Sequence, residues 1–151
     1  MLLTGLLPDI TTDPAIETAI DSVEAGRSGT IVAPVGIRPP LLAAVASRAA
    51  TPLVVLTATG RDAESLTNAL ASWIPGVAML PAWETLPHER LSPQVDTMAR
   101  RIAVLRRLVH PIKGDDSAGP MSVLVVPIRA FLQPIISGLA DLEPVRVRTG
   151  D

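Results

Sequence analysis

Leu53-Val54-Val55-Leu56-Thr57 is the run that decides the fold. Its residues are apolar at successive positions, without the alternation of a half-solvated strand. Such a run reads as a strand covered on both faces, as in parallel sheets. Working outward, Thr59 caps a helix whose apolar stripe is Leu66, Ala69, Leu70 and Trp73, and Pro75-Gly76 ends it. Val77 to Leu80 is the next strand signal. Upstream, Asp13-Pro14 starts a helix: Asp13 is the N-cap, Pro14 the first helical residue, and Glu17 lies in the first turn. Its stripe is Ile16, Ala19, Ile20 and Val23, and Gly26 supplies the stop. Gly29 to Ala33 reads as a short buried strand, followed by a turn, Pro39-Pro40 and a helix from about Leu41 to Ala50. Downstream, Ser92-Pro93 predicts a helix with Met98, Ile102, Leu105 and Val109 on its buried side, Arg100 and Arg107 opposite, and Arg101 and Arg106 flanking. Met121 to Pro127 is a further strand, with a short helical piece near Arg129 to Leu132. This alternation predicts an α/β fold: an open, mostly parallel sheet flanked by helices.

Composition narrows the function classes. The chain has 151 residues, enough for about one domain, and 48% are hydrophobic. The core must be aliphatic, because there is no Tyr, one Phe and two Trp. A net charge of −2 gives no global attraction to nucleic acid or anionic lipid. The absence of Cys excludes disulfides, thiolate nucleophiles and cysteine metal sites. His88 and His110 lack a ligand partner at short spacing, so no metal site is expected. The N-terminus has no basic region ahead of its short apolar run, so it does not read as a signal peptide. No apolar run reaches the ~20 residues of a membrane span. A cytoplasmic protein is the expectation.

The stretch Leu80-Pro81-Ala82-Trp83-Glu84-Thr85-Leu86-Pro87-His88-Glu89-Arg90-Leu91-Ser92-Pro93 carries three prolines and a tryptophan. It can be neither helix interior nor central strand, so it is an ordered irregular connection. Trp83 is expected to anchor it onto the domain. Glu84, His88 and Glu89 lie close in sequence but have no nucleophile or metal ligand beside them for acid–base work. Asp115-Asp116 reads as solvated loop charge.

In a parallel α/β sheet, ligands bind where strands end and helices begin. The first such turn contains Val35, Gly36, Ile37, Arg38, Pro39 and Pro40. A working phosphate loop needs Gly-x-x-x-x-Gly-Lys-Ser/Thr, so that backbone N–H groups, a lysine and a hydroxyl converge on phosphate and magnesium. Taking Gly36 as the second glycine leaves Ile31 at the first and Ile37-Arg38 in place of Lys and Ser/Thr. Pro39 and Pro40 remove two further donors. The turn reads as a degenerate nucleotide site that holds no cofactor. Arg100 and Arg107 are weak nucleic-acid candidates, since phosphate contacts need cations but a solvated helix face looks the same.

The run Trp83, Glu84, Thr85, Leu86, Pro87, then Ser92, Pro93 and the helix with Arg101-Ile102-Ala103-Val104-Leu105, closely resembles the N-terminal module of bacterial transcription-repair coupling factors. The strand Val123 to Val126 ending at Pro127, and the segment Val145 to Asp151, look like the same family, so the likeness runs from about Gly29 to Asp151. Scarce Lys and abundant Ala and Arg suggest a high-GC genome. The resemblance implies a degenerate RecA/helicase-like domain similar to the first domain of the excision helicase UvrB, over residues 1–140. Residues 141–151 would begin a UvrA-binding domain. UvrB has an intact phosphate loop and an aromatic damage-probing hairpin, and this sequence matches neither. The resemblance therefore implies a non-catalytic module that supports UvrA recruitment to stalled RNA polymerase and helps to repress the full protein. UvrA would be met mostly through the following segment. RNA polymerase, DNA, ATP and magnesium would be engaged by other domains of a longer ATP-dependent DNA translocase. Two rival readings stay open: a free-standing nucleotide-binding enzyme with an atypical phosphate loop, and weak DNA binding through the helix arginines.

Overall fold

The computed structural model describes residues 2–85, 92, 94–115 and 117–143. The expectations placed on Leu86, Pro87, His88, Glu89, Pro93, Asp116 and residues 144–151 lie outside these. The described elements are α1 (Leu7–Thr11), α2 (Pro14–Glu24), α3 (Arg38–Arg48), β1 (Leu53–Thr57), α4 (Gly60–Leu70), β2 (Val77–Met79), α5 (Val95–Val109), β3 (Val123–Pro127) and α6 (Ile128–Phe131). Short 3-10 turns lie at Thr4–Leu6, Val35–Ile37 and Leu139–Asp141.

The strands form one parallel sheet in the order β1-β3-β2. Leu53 pairs with Val123 and Thr57 with Pro127 on one side, and Val77 pairs with Val123 on the other. The last strand in sequence is therefore the central one, and every residue of β3 is buried. Residues in register share a face. Val123 and Val125, with Leu53, Val55, Val77 and Met79, meet the helical layer through Leu41, Ala43, Ala44, Ala63 and Leu70. Leu124, Val126, Ala78 and Leu80 form a second, smaller core with Val104 and Ala130. The α/β class and the open parallel sheet flanked by helices are as the sequence predicts.

Helix signals follow the sequence closely at α2 and α4. Asp13 accepts hydrogen bonds from the amides of Ala15 (2.8 Å) and Ile16 (3.3 Å), which answers two orphan donors of the first turn. Thr59 does the same for the Asp62 amide at 3.1 Å. Gly76 closes the α4 segment at φ +74°, a conformation that favours glycine, and its carbonyl accepts from the Ser122 amide at 2.8 Å.

Four expectations change. Gly29 to Ala33 is not a strand: it is extended chain without ladder bonds, and Val32 is 96% exposed. That leaves β1 at the edge, where its exposure alternates, so the run that looked fully covered is covered on one face. Helix α3 begins at Arg38, with Pro39 and Pro40 inside its first turn, where their missing N–H groups cost no helical bond. Helix α5 begins at Val95 after Gln94, not at Ser92-Pro93. Its buried residues are Thr97, Arg101, Val104 and Leu105. Met98 and Val109 are exposed.

Arg101 explains the rotation of α5. It is only 1% exposed, the largest fully buried side chain described. Its Nη1 donates to the Pro81 carbonyl at 2.6 Å, and its guanidinium lies 4.6 Å from the centre of the Trp83 ring. An arginine can turn inward when a carbonyl and an aromatic face receive its charge. Hydrophobic periodicity cannot anticipate this, because it counts arginine as outward.

Two outcomes test this description. Gly76→Ala should cost about 1–2 kcal/mol, because its Cβ would stand 3.0 Å from the Ser122 nitrogen in a left-handed backbone. Urea denaturation reads the loss, and an unchanged midpoint would mean that the turn relaxes. Trp83→Ala should cost about 3 kcal/mol. A double-mutant cycle with Arg101→Ala should show coupling of about 1–2 kcal/mol. Additive losses would mean that the stacked pair contributes nothing beyond burial.

Candidate functional site

The turn read as a degenerate phosphate loop lies between the extended Gly29–Ala33 segment and α3. Val35, Gly36 and Ile37 make one 3-10 turn. The Ile37 amide donates to the Pro34 carbonyl at 3.1 Å, and the Arg38 amide to the Val35 carbonyl. Those are amides a phosphate cradle would need to leave free. Gly36 has no left-handed backbone, and a Cβ placed there would meet nothing within 4 Å. It is therefore neither a turn glycine of necessity nor a point of close approach. Pro39 and Pro40 supply no donor, and Pro40 is buried in the helical layer. Arg38 is exposed at the start of α3. A cleft of about 600 Å³ opens beside it, with Ile31, Val35, Val55, Leu66, Thr57 and Asp62 among its lining. Its wall is mainly aliphatic. Against the single cation Arg38 stand the hydroxyls of Thr57 and Ser65 and the carboxylate of Asp62, which offsets the attraction of an anion.

The Trp83-Glu84-Thr85 motif sits in an irregular segment held from three sides. The Trp83 amide donates to Gln133 Oε1 at 2.7 Å, and Gln133 Nε2 donates to the Trp83 carbonyl at 3.2 Å. One side-chain amide thus satisfies both backbone groups of Trp83, as a neighbouring strand would. Arg129 Nη2 donates to the Glu84 carbonyl at 3.3 Å. The Thr97 hydroxyl donates to the Glu84 carboxylate. That bond is the main reason the Glu84 carboxyl lies below its ordinary pKa; its own backbone amide and the Gln94 amide add to it, and Arg129 helps by charge. Glu84 therefore places an anion at the N-terminus of α5, where the helix dipole favours one. Among the described residues no side chain caps the first-turn amides of α5, and the charge near its start is carried by Glu84 from earlier in the chain. Thr85 is half-buried, and Ser92 is exposed. Gln133, Thr97 and Arg101 had no sequence signal as partners of the motif. Gln133 is a single polar residue in an apolar run, and nothing in its spacing points fifty positions back.

The four arginines of α5 have four different environments. Arg100 is exposed and pairs with Asp96 one turn earlier at 2.9 Å. Arg101 is buried. Arg106 donates to the Leu142 carbonyl at 3.1 Å and lies 3.8 Å from Glu143. Arg107 is half-buried, and its Nε donates to the Gly119 carbonyl at 2.9 Å. Arg100 and Arg107 are thus not a matched pair on one open face. His110 Nε2 lies 2.7 Å from Asp141 Oδ1, which with Arg106 ties the 139–143 turn to α5. Asp115 folds its own loop, accepting from the Ser117 hydroxyl and from the Ser117 and Ala118 amides. Led by the hydroxyl, these bonds hold its carboxyl below the ordinary value. Among the described residues, no group of three or more His, Asp or Glu side chains could hold a metal. No described helix is long and apolar enough to cross a membrane.

Comparison with known proteins sets this geometry in a family. No family model matches the chain. It is 46% identical over 125 residues to the transcription-repair-coupling factors of Mycobacterium bovis and Mycobacterium tuberculosis, a match covering 81% of this chain and 10% of each relative. It is 29% identical over 96 residues to the transcription-repair-coupling factor of Escherichia coli, covering 63% of this chain and 8% of that protein. The Lys-poor, Arg- and Ala-rich composition agrees with a high-GC bacterial source. The chain is homologous to one segment of the bacterial transcription-repair-coupling factors, spanning about a tenth of their length.

Proposed function

We propose that this chain is a non-catalytic, degenerate helicase-like module of a transcription-repair coupling factor. In this reading it acts in the cytoplasm, in transcription-coupled excision repair. It supports a UvrA-binding domain that begins near residue 141, and it helps to hold the full protein in a repressed state. ATP hydrolysis with magnesium, DNA translocation and RNA polymerase contact belong to other domains. The observation that carries the reading is the 46% identity to the mycobacterial coupling factors over most of the chain. The turn at Val35 to Pro40 supports the non-catalytic part. Its amides are committed to the Pro34 and Val35 carbonyls, and two of its residues are prolines. The clamp on Trp83 and Glu84 supports a structural role for the family motif: its backbone groups and carboxylate are engaged within the domain.

Two experiments test the proposal. Purified UvrA is titrated with this chain and with a longer version that includes the next domain. The longer chain should bind and this one should not. Tight binding by this chain alone would move the recognition surface into the residues described here and end the scaffold role. Calorimetric titration with magnesium-ATP should give no saturable heat. Saturable binding that Arg38→Ala abolishes would favour a nucleotide-binding enzyme instead.

A further inference from the structure

The sheet has an unguarded edge. β1 carries no charge and no proline, the devices that usually protect an exposed strand from pairing. Among the described residues its outer backbone row faces no strand, and on the face of the sheet away from α3 and α4 its side chains Val54 (51%) and Leu56 (47%) stand exposed. Beside this edge runs the extended segment Gly29-Thr30-Ile31-Val32-Ala33, whose Ile31 already lines the same cleft as Val55, Leu56 and Thr57.

We propose that this segment is a strap that seats reversibly on the edge of β1 as a fourth, parallel strand, and that the structure shows it in the unseated position. Its ends are already pinned. Upstream, Arg48 on α3 holds Glu24 (2.8 Å) and Asp21 (3.4 Å) at the end of α2. Downstream, the Pro34 carbonyl is fixed by the Ile37 amide. Between these points Gly26, at φ +65°, and Gly29 supply the backbone freedom to swing. The five residues span ~16 Å when extended, the length of the five in β1. The link from Pro34 through α3 to Pro52 is longer than the dozen residues a parallel crossover requires. Side-chain parity also fits. With Ile31 turned into the cleft beside Val55, Thr30 and Val32 fall on the opposite face, beside Val54 and Leu56. Seating sets Thr30 and Val32 alongside Val54 and Leu56 and narrows the cleft next to Arg38. Unseating opens both the cleft and a pairing edge. This proposal does not depend on the repair role.

Residue-resolved amide exchange on this chain is the test. Alternate amides between Thr30 and Ala33 should exchange at least tenfold more slowly than in unstructured chain. Val32→Asp, which would place a charge against Leu56, should remove that protection and leave the β3 amides slow. Exchange of all four amides at unstructured rates in the parent chain would overturn the proposal, and so would protection that survives Val32→Asp. Because the chain lacks cysteine, the double variant Val32→Cys/Leu56→Cys reports the register directly. A disulfide within one chain under mild oxidation is expected. Its failure to form while the amides are protected would overturn the parallel register.

Discussion

The structure depends on a buried charge. Arg101 points into the domain from α5, and burial works against its charged form. A guanidinium in such a place must be received by groups fixed in advance, because an unmatched buried cation is among the costliest defects a fold can carry. The receivers are the Pro81 carbonyl and the Trp83 face, both in the irregular segment after β2. That requirement sets the path of the segment. With Pro81 and Trp83 fixed, the Trp83 backbone is offered to Gln133 and the Glu84 carboxylate to Thr97. One ionic demand thus ties together the exit of β2, the first half of α5 and the chain just past α6. The tie substitutes for a hydrogen-bonded ladder that proline makes impossible there.

The same region shows how unevenly the sheet is covered. The helical layer of α1 to α4 reaches across all three strands, through small residues such as Ala43, Ala44 and Ala63 that allow close approach. On the other face, α5 and α6 cover β2 and β3 but leave Val54 and Leu56 exposed. Because β3 is both central and last, the sheet closes only when residues about seventy positions apart meet. Pairings of such sequence separation are late and costly in chain entropy.

Much of this was legible in the sequence, for reasons that can be named. Asp13-Pro14 and Thr59 were readable because capping chemistry is local: the donor and acceptor lie within three residues. The run 123–127 is readable because a buried parallel strand leaves an unbroken apolar signature; 53–57 carries the same signature although β1 is covered on one face only. Strand order was not readable, and with it went the status of β1 as an edge. The rotation of α5 was missed because periodicity assigns arginine to water. The start of that helix was missed because its anion, Glu84, arrives from another part of the chain. Within the candidate site, the loss of lysine and hydroxyl at Ile37-Arg38 could be read directly. The fate of the backbone amides could not, since they depend on a turn type that the letters Val-Gly-Ile do not specify.

Those amides decide what this turn can offer a ligand. A phosphate loop is held open by conformations that leave N–H groups unpaired until the anion arrives, and such unpaired groups cost stability in its absence. Here the 3-10 turn pairs the Ile37 and Arg38 amides with carbonyls of the same turn. Pro39 and Pro40 then preset the backbone at the start of α3 and bring one buried ring into the core. Each feature withholds a donor that a phosphate would need and makes a contact that needs no ligand. Replacing the lysine alone would have left a poor binding site. Closing the backbone on itself leaves a helix start whose Ile37 and Arg38 amides are paired without any ligand.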